Sequence, residues 1–377
     1  MADHQPNPRN PETSGCRTHF LPPDKLRLRL LLAALLTLLL SIALLRASGY
    51  AAEKDNAAVM KKASENLRDC FQAVKDERLR LGHPIDYDAD VNGTGMLGDE
   101  YTAITTSHGN LEAKRSAANP NTAAMMVDLL ARCGVKAGDT VACNFSSSFP
   151  TLNLATVCAL DALGARGVII NSIGASTYGA NLPDFTYPDM EHLLLENHRI
   201  QNHAEYFSAG GAGDQGREMP EDVKASIVSR IEAYGLSYIN ISDLEENLDY
   251  RKNIYNYSSG PVACFVNVGG NLLAFGGGDE MTGVGSGIVS AGVHLPGDGL
   301  IPYYYNQGIP VIHLLNMKAL LPENGLPFDP VPLPEPGEGE VYRETRYPKP
   351  LAAGVLAANL ALWILLARHF PRRRIPI

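Results

Sequence analysis

The chain has 377 residues, 45% hydrophobic and 19% charged, with 32 Lys and Arg against 41 Asp and Glu. That length admits two average domains or one large α/β domain. The net charge of −9 hides an uneven spread. Six basic and 3 acidic residues precede residue 50, 4 basic and no acidic residues follow residue 350, and the 22 basic and 38 acidic between them leave a net of −16. Such a middle repels nucleic acid and anionic lipid surfaces, so no nucleic-acid partner is expected, and an anionic ligand needs a local site.

A tail over 1–25 leads into an apolar run, Leu30–Leu45, preceded by Lys25, Arg27 and Arg29. The run approaches the length that spans a bilayer, and we place a membrane helix over 26–46. The alternative is a cleaved signal peptide. Arg46, where a cleavage region needs small neutral residues, favours an uncleaved anchor. A second apolar run, Leu351–Ala367, is broken only by Asn359 and is followed by Arg368, Arg372, Arg373 and Arg374 in a basic tail, 368–377. Basic flanks prefer the cytoplasm, so two spans with both termini inside put the bulk of the chain outside.

After the anchor, residues 50–104 read as a membrane-proximal helix closed by Gly82, then polar loop. An α/β domain is expected over 105–320. A helix near Ala123–Cys133 precedes the strand DTVACNF, the helix TLNLATVCALDALG and the strand ARGVIINSIG, a βαβ unit. DVKASIVSRIEAYG and LSYINIS repeat the helix–strand step, and PVACFVNVGG and IPVIHLLN supply two more buried strands. The fold class expected is α/β, a doubly wound, mostly parallel sheet with Rossmann-like βαβ units, flanked by the two membrane helices. The Pro-rich run 321–350 is an extended linker to the second span.

Six cysteines, five of them in the outer part, include no C-x-x-C pair, which is neither a disulfide framework nor a zinc pattern. Cys143 and Cys158 read as small buried hydrophobes, with one bridge among the outer five still open.

In open parallel sheets ligands bind at the C-terminal ends of the strands. There the loop Ser146-Ser147-Ser148 precedes Pro150, which suits a first helical turn. The helix start and the hydroxyls suit a carboxylate or phosphate. The next strand ends equally polar, in Asn171–Asn181, and ordinary hydrogen-bonded turns are the alternative reading. The candidate ligand-binding residues are Lys114, Arg115, Ser147, Asn153, Asn171, Ser172, Ser176 and Asn181, with the basic pair as charge partners for a carboxylate.

Ser146 and Ser148 are candidate nucleophiles, although neither satisfies G-x-S-x-G. A base for either would come from His108, His192, His294 or His313. No P-loop is present. Gly211–Gly216 matches G-x-G-x-x-G after a poor strand, so no nucleotide cofactor is expected. Asp189, Glu191 and His192 fit no metal spacing and read as acids at a helix start. The glycine-rich Phe275–Gly292 is a flap or a flexible loop.

YTAITTSHGNLEAKRSAANP, SSSFPTLN, SIGASTYGANLPDFTYPDMEHLL, SAGGAGDQG, VNVGG and GIPVIHLL, in this order, resemble the poly-gamma-glutamate system protein family over roughly Gly95 to Asp329. In that family the serine loop reads Ser-Gly-Ser-Phe-Pro, and here Ser147 replaces the glycine. The resemblance implies a membrane accessory protein of bacterial poly-gamma-glutamate synthesis or export. Its implied partners are the synthase membrane subunits and the anionic polyglutamate chain, and it supplies no catalytic residues. Three roles stay open: binding glutamyl carboxylates at the polar loops, trimming or releasing the polymer as an amide hydrolase or transferase with Ser146 or Ser148, and structural scaffolding.

Overall fold

A computed structural model describes residues 23–257, 260–276, 284–290 and 294–369. The tail before residue 23, Cys16, Arg372, Arg373, Arg374 and much of the glycine-rich segment lie outside the described residues. The chain divides into two compact units.

The first unit, Met1–Ala52 with Thr345–Ile377, holds two apolar helices, Pro23–Ala47 and Lys349–His369. Leu28–Ala47 and Lys349–Leu366 have mean hydropathies of 2.5 and 1.7, and each is long and apolar enough to cross a membrane. Their leucines, including Leu36, Leu40, Leu356 and Leu360, are exposed, unlike those of a core helix. The two helices pack together. Asn359, the polar interruption noted in the sequence, donates to the Ser41 hydroxyl on the other helix at 2.8 Å.

The second unit, Glu53–Glu344, is a mixed α/β fold around a mostly parallel seven-stranded sheet. We number that sheet's strands β1 (Thr140–Asn144), β2 (Arg166–Ser172), β3 (Tyr206–Ser208), β4 (Ser237–Ile239), β5 (Val262–Val268), β6 (Gly287–Ile288) and β7 (Val311–Leu314). They lie in the order β6-β7-β5-β1-β2-β3-β4, with only β6 antiparallel to its neighbour. From β1 the chain therefore steps outward one way through β4, then returns to place β5 on β1's other side. The short run ending in Ser208, a poor strand by sequence, pairs fully as β3.

The helices of this unit are α1 (Ala57–Arg80), α2 (Leu111–Ala117), α3 (Thr122–Arg132), α4 (Pro150–Leu163), α5 (Tyr187–Glu196), α6 (Glu221–Ala233), α7 (Leu244–Tyr257), α8 (Leu272–Phe275), α9 (Leu300–Asn306) and α10 (Met317–Glu323). α4 starts on Pro150 and ends on Gly164, whose φ of 69° favours glycine. It is apolar on most faces because β2, α1 and α3 pack against it: Leu152, Leu154, Val157 and Leu160 are fully buried. α1 buries Met60, Ala63, Leu67, Cys70 and Val74 at helical spacing against α3 and α4. Met60, Leu67 and Val74 each contribute roughly 1.5–3 kcal/mol by burial, so α1 belongs to the core of this unit. Compactness thus extends beyond 105–320 to take in most of 50–104 and 321–350.

Candidate functional site

Three strands carry one polar residue each near the end of an apolar run, and the register sets them side by side. Asn267 of β5 is opposite Asn144 of β1 on one side and His313 of β7 on the other. Asn144 donates to the Asn267 amide oxygen at 2.7 Å, and Asn267 stands 3.1 Å from His313 Nδ1. Arg251, on α7 and 2% exposed, donates to Asn144 at 3.1 Å, to Asn247 at 3.0 Å, to Ser208 at 2.9 Å and to Asp214 at 2.7 Å. Burial without a charge partner pushes the His313 imidazole down to about 4, so it is neutral at pH 7. The result is a satisfied polar layer beneath the strand ends, which fixes the loops above it.

Over that layer opens a crevice of about 540 Å³, bounded by the loops that follow β1, β2, β3, β5 and β7 and by the segment 106–114. Of the candidate ligand-binding and nucleophilic residues, Lys114, Ser146, Ser148, Ser172 and Ser176 line it, as does the candidate base His108. The other candidate ligand-binding residues do not. Arg115 is bound to Asp329, with Nε–Oδ1 at 2.8 Å. Ser147 is buried and donates to the Ser172 carbonyl. Asn153 donates to the Ser146 carbonyl at 3.0 Å, which pins the serine loop to α4. Asn171 donates to Glu191 at 2.9 Å, and Asn181 bridges Asp99 and Thr105.

Within the serine loop, Ser146 Oγ accepts from the Ser148 N–H at 3.2 Å, a local turn. Ser148 Oγ accepts from the Ser176 N–H at 3.0 Å. Neither hydroxyl is bonded to a histidine among the described residues. His108 stands 2.8 Å from the Tyr101 hydroxyl, His192 stacks on Tyr234, and His313 is held by Asn267.

Lys114 behaves differently. It is 3% exposed, and its Nζ donates to the Ser148 carbonyl, lies 2.7 Å from Ser176 Oγ and sits 4.1 Å from the centre of the Phe149 ring. No ion pair to it exists among the described residues. Burial alone pulls its ammonium down to about 7. Gly109 makes the close approach possible: a Cβ there would meet the Thr177 carbonyl at 2.7 Å, Ser176 Oγ at 3.0 Å and Lys114 Cε at 3.1 Å.

The G-x-G-x-x-G loop follows β3 and turns through Ala212–Asp214. The Asp214 carboxylate fills its inner side, bonded to Ser208 at 2.7 Å and paired with Arg251. A carboxylate held there opposes a pyrophosphate. Asp189 closes a capping box with Thr186 on α5 and binds Arg230 at 2.9 Å. No group of three His, Cys, Asp or Glu side chains suited to a metal exists among the described residues.

Sequence reasoning missed Arg251, Asp214, Ser208 and Asn144. The available signal was the lone Asn or His inside VACNF, CFVNVGG and VIHLL, at one level of three adjacent strands. A scan against protein-family models and searches of curated proteins and of solved structures find no match to this chain.

Proposed function

We propose that this protein is a membrane accessory subunit of poly-gamma-glutamate synthesis or export whose crevice holds a glutamyl segment of the emerging chain. The two apolar helices would form a two-pass anchor with both termini in the cytoplasm and Glu53–Glu344 outside. The order-and-return of the strands supports a doubly wound, Rossmann-like fold. In such folds the reversal beside the first strand, here between β1 and β5, is where ligands bind.

One observation carries the reading: Lys114 lies in a polar crevice, surrounded by hydroxyls and amides, without a carboxylate of its own. Within residues 50–350, whose net charge is −16 by sequence, an unpaired cation in a polar pocket marks where a carboxylate is accepted. A single such group gives weak, reversible capture, which suits a moving polymer. The ammonium must be protonated to attract the ligand, and the group titrates near 7. Binding therefore strengthens as pH falls below 7 and fades as pH rises above it.

The test is equilibrium binding of short γ-glutamyl oligomers to the full-length protein in detergent at pH 6 and pH 8. Binding is expected to weaken several-fold at pH 8 and to be lost in Lys114→Met. Equal binding by wild type and Lys114→Met, or none at either pH, would remove the reading.

A further inference from the structure

The same lysine has a second relationship that carbonyl and carboxylate capture do not require. Ser176 Oγ has Lys114 Nζ as its only hydrogen-bond partner among the described residues. The backbone of Ser176 is fixed by its N–H bond to Ser148 Oγ at 3.0 Å, and the strand pair Thr105–Ser107 with Ala175–Ser176 holds it on the crevice wall. As an ammonium Nζ donates to both oxygens; as a neutral amine it keeps one of these bonds and turns its lone pair to the other. A carbonyl oxygen only accepts, so Ser148 takes an N–H. The remaining lone pair then faces the hydroxyl, which can donate its proton. A lysine that gives up its charge by burial beside a serine hydroxyl is a recurrent way to activate that hydroxyl.

We propose that Ser176 and Lys114 form a nucleophile–base pair that cleaves amide bonds in the crevice. The inference rests on the preceding reading for its substrate, a glutamyl polyamide, and on the Lys114–Ser176 contact and the burial of the pair for its chemistry. In the first step Ser176 Oγ attacks the amide carbonyl carbon while its proton passes to Nζ. The C–N bond then breaks as that proton is delivered to the departing nitrogen, leaving an ester on Ser176 and a free amine. In the second step water, deprotonated by Nζ, attacks the ester, releasing a carboxylic acid and restoring the hydroxyl. No redox partner is needed.

The other charged groups near the pair are already engaged or belong to other surfaces. On the crevice wall, Asp214 and Arg251 hold each other, Glu218 accepts from the Ala212 N–H at 2.8 Å, and His108 is bonded to Tyr101. On α2 itself, Arg115 is tied to Asp329, and Glu112 is exposed. α10, packed on α2, carries Lys318 and Glu323. A base titrating near 7 gives a rate that rises about tenfold from pH 6 to pH 8, as the neutral fraction does. Holding and cutting then have opposite pH slopes at one side chain.

The experiment uses full-length protein in detergent and a fluorophosphonate, which a serine oxygen attacks with loss of fluoride. The adduct is mapped by peptide mass spectrometry between pH 6 and pH 9. The expected result is one adduct on Ser176 with that tenfold slope, a slope retained in His108→Gln. Labelling should fall about a hundredfold or more in Lys114→Met and in Lys114→Arg, whose guanidinium keeps the charge but releases no proton. Melting curves would establish that both variants are folded. An adduct on another serine, or one formed at the same rate without Lys114, overturns the pair. So does the absence of any adduct in a protein that binds γ-glutamyl oligomers. An adduct on Ser176 in a protein that neither binds nor shortens those oligomers leaves the pair standing and removes the polymer reading.

Discussion

Arg251 and Asp214 form a buried ion pair at 2.7 Å, with side chains 2% and 8% exposed. Breaking such a pair costs about 3–5 kcal/mol because one charge stays behind unpaired. Arg251→Met should therefore lower the thermal midpoint by on the order of 10 °C, given roughly 2–4 °C per kcal/mol at this size. Arg251→Met with Asp214→Asn should recover more than half of that loss. A single variant that melts within a degree or two of wild type would mean the pair does not hold the loops.

Two buried groups pull the acid limb of stability in opposite directions. His313 is depressed from 6.5 to about 4 by burial, so its contribution is present above about 6.5 and is lost as pH falls through 4. Glu191 is raised from 4.5 to about 7, burial outweighing its bonds from Ala204, Asn171 and Tyr187. Its contribution is present below about 4.5 and is lost as pH rises through 7. Each is worth about 3 kcal/mol, so they nearly cancel between pH 4.5 and 6.5. Wild-type stability should be flat there, while His313→Gln should gain stability on acidification and Glu191→Gln should lose it. Melting midpoints at three pH values would decide the matter.

Lys114 should cost the fold stability. Its pKa falls from 10.5 unfolded to about 7 folded, so its contribution is present above about 10.5 and is lost as pH falls through 7. The penalty at neutral pH approaches about 4–5 kcal/mol, against about 1–3 kcal/mol for the bonds to Ser148 and Ser176. Lys114→Met is thus expected to raise the melting midpoint by several degrees at pH 7, with the gain shrinking toward pH 10. A lower midpoint, or a gain independent of pH, would show that burial is not the controlling cost.

Two thiol pairs test the extracytoplasmic placement proposed for the larger unit. Cys70, Cys158, Cys133 and Cys264 are free thiols, and Cys70 with Cys158, and Cys133 with Cys264, are near enough to perturb one another's titration. Outside the cytoplasm such pairs are open to oxidation by thiol–disulfide exchange. Protein taken from cells without reductant and alkylated after denaturation is expected to react at Cys143 but not at the two pairs. Full alkylation of all five would argue for a reducing compartment.

Much of the fold was legible in the residues. The apolar runs before Asn144 and Ser172 and the Pro150–Gly164 punctuation between them define β1, α4 and β2, because local propensity and burial agree there. The place of α1 was not legible. By sequence it was only a membrane-proximal helix ahead of the α/β domain, yet Met60, Leu67 and Val74 serve the common core, and only tertiary packing shows it. At the site, the polar strand ends located the crevice. What sequence could not tell was which polar residues face it. Ser147 and Ser148 are neighbours with the same chemistry, and the pleat of the loop sends one inward to the Ser172 carbonyl and the other to the crevice. Lys114 and Arg115 divide in the same way, one into the crevice and one to Asp329.

The outer strands of the large sheet are short, three residues at Ser237–Ile239 and two at Gly287–Ile288. An extended polyamide offers amide donors and acceptors to any open sheet edge, and docking as an added strand needs a run of them. These borders provide room for only one or two ladder rungs, too few to template another chain. On the function proposed above, a passing polymer would be gripped through side chains, one residue at a time, and not zipped onto the backbone, which would leave it free to slide.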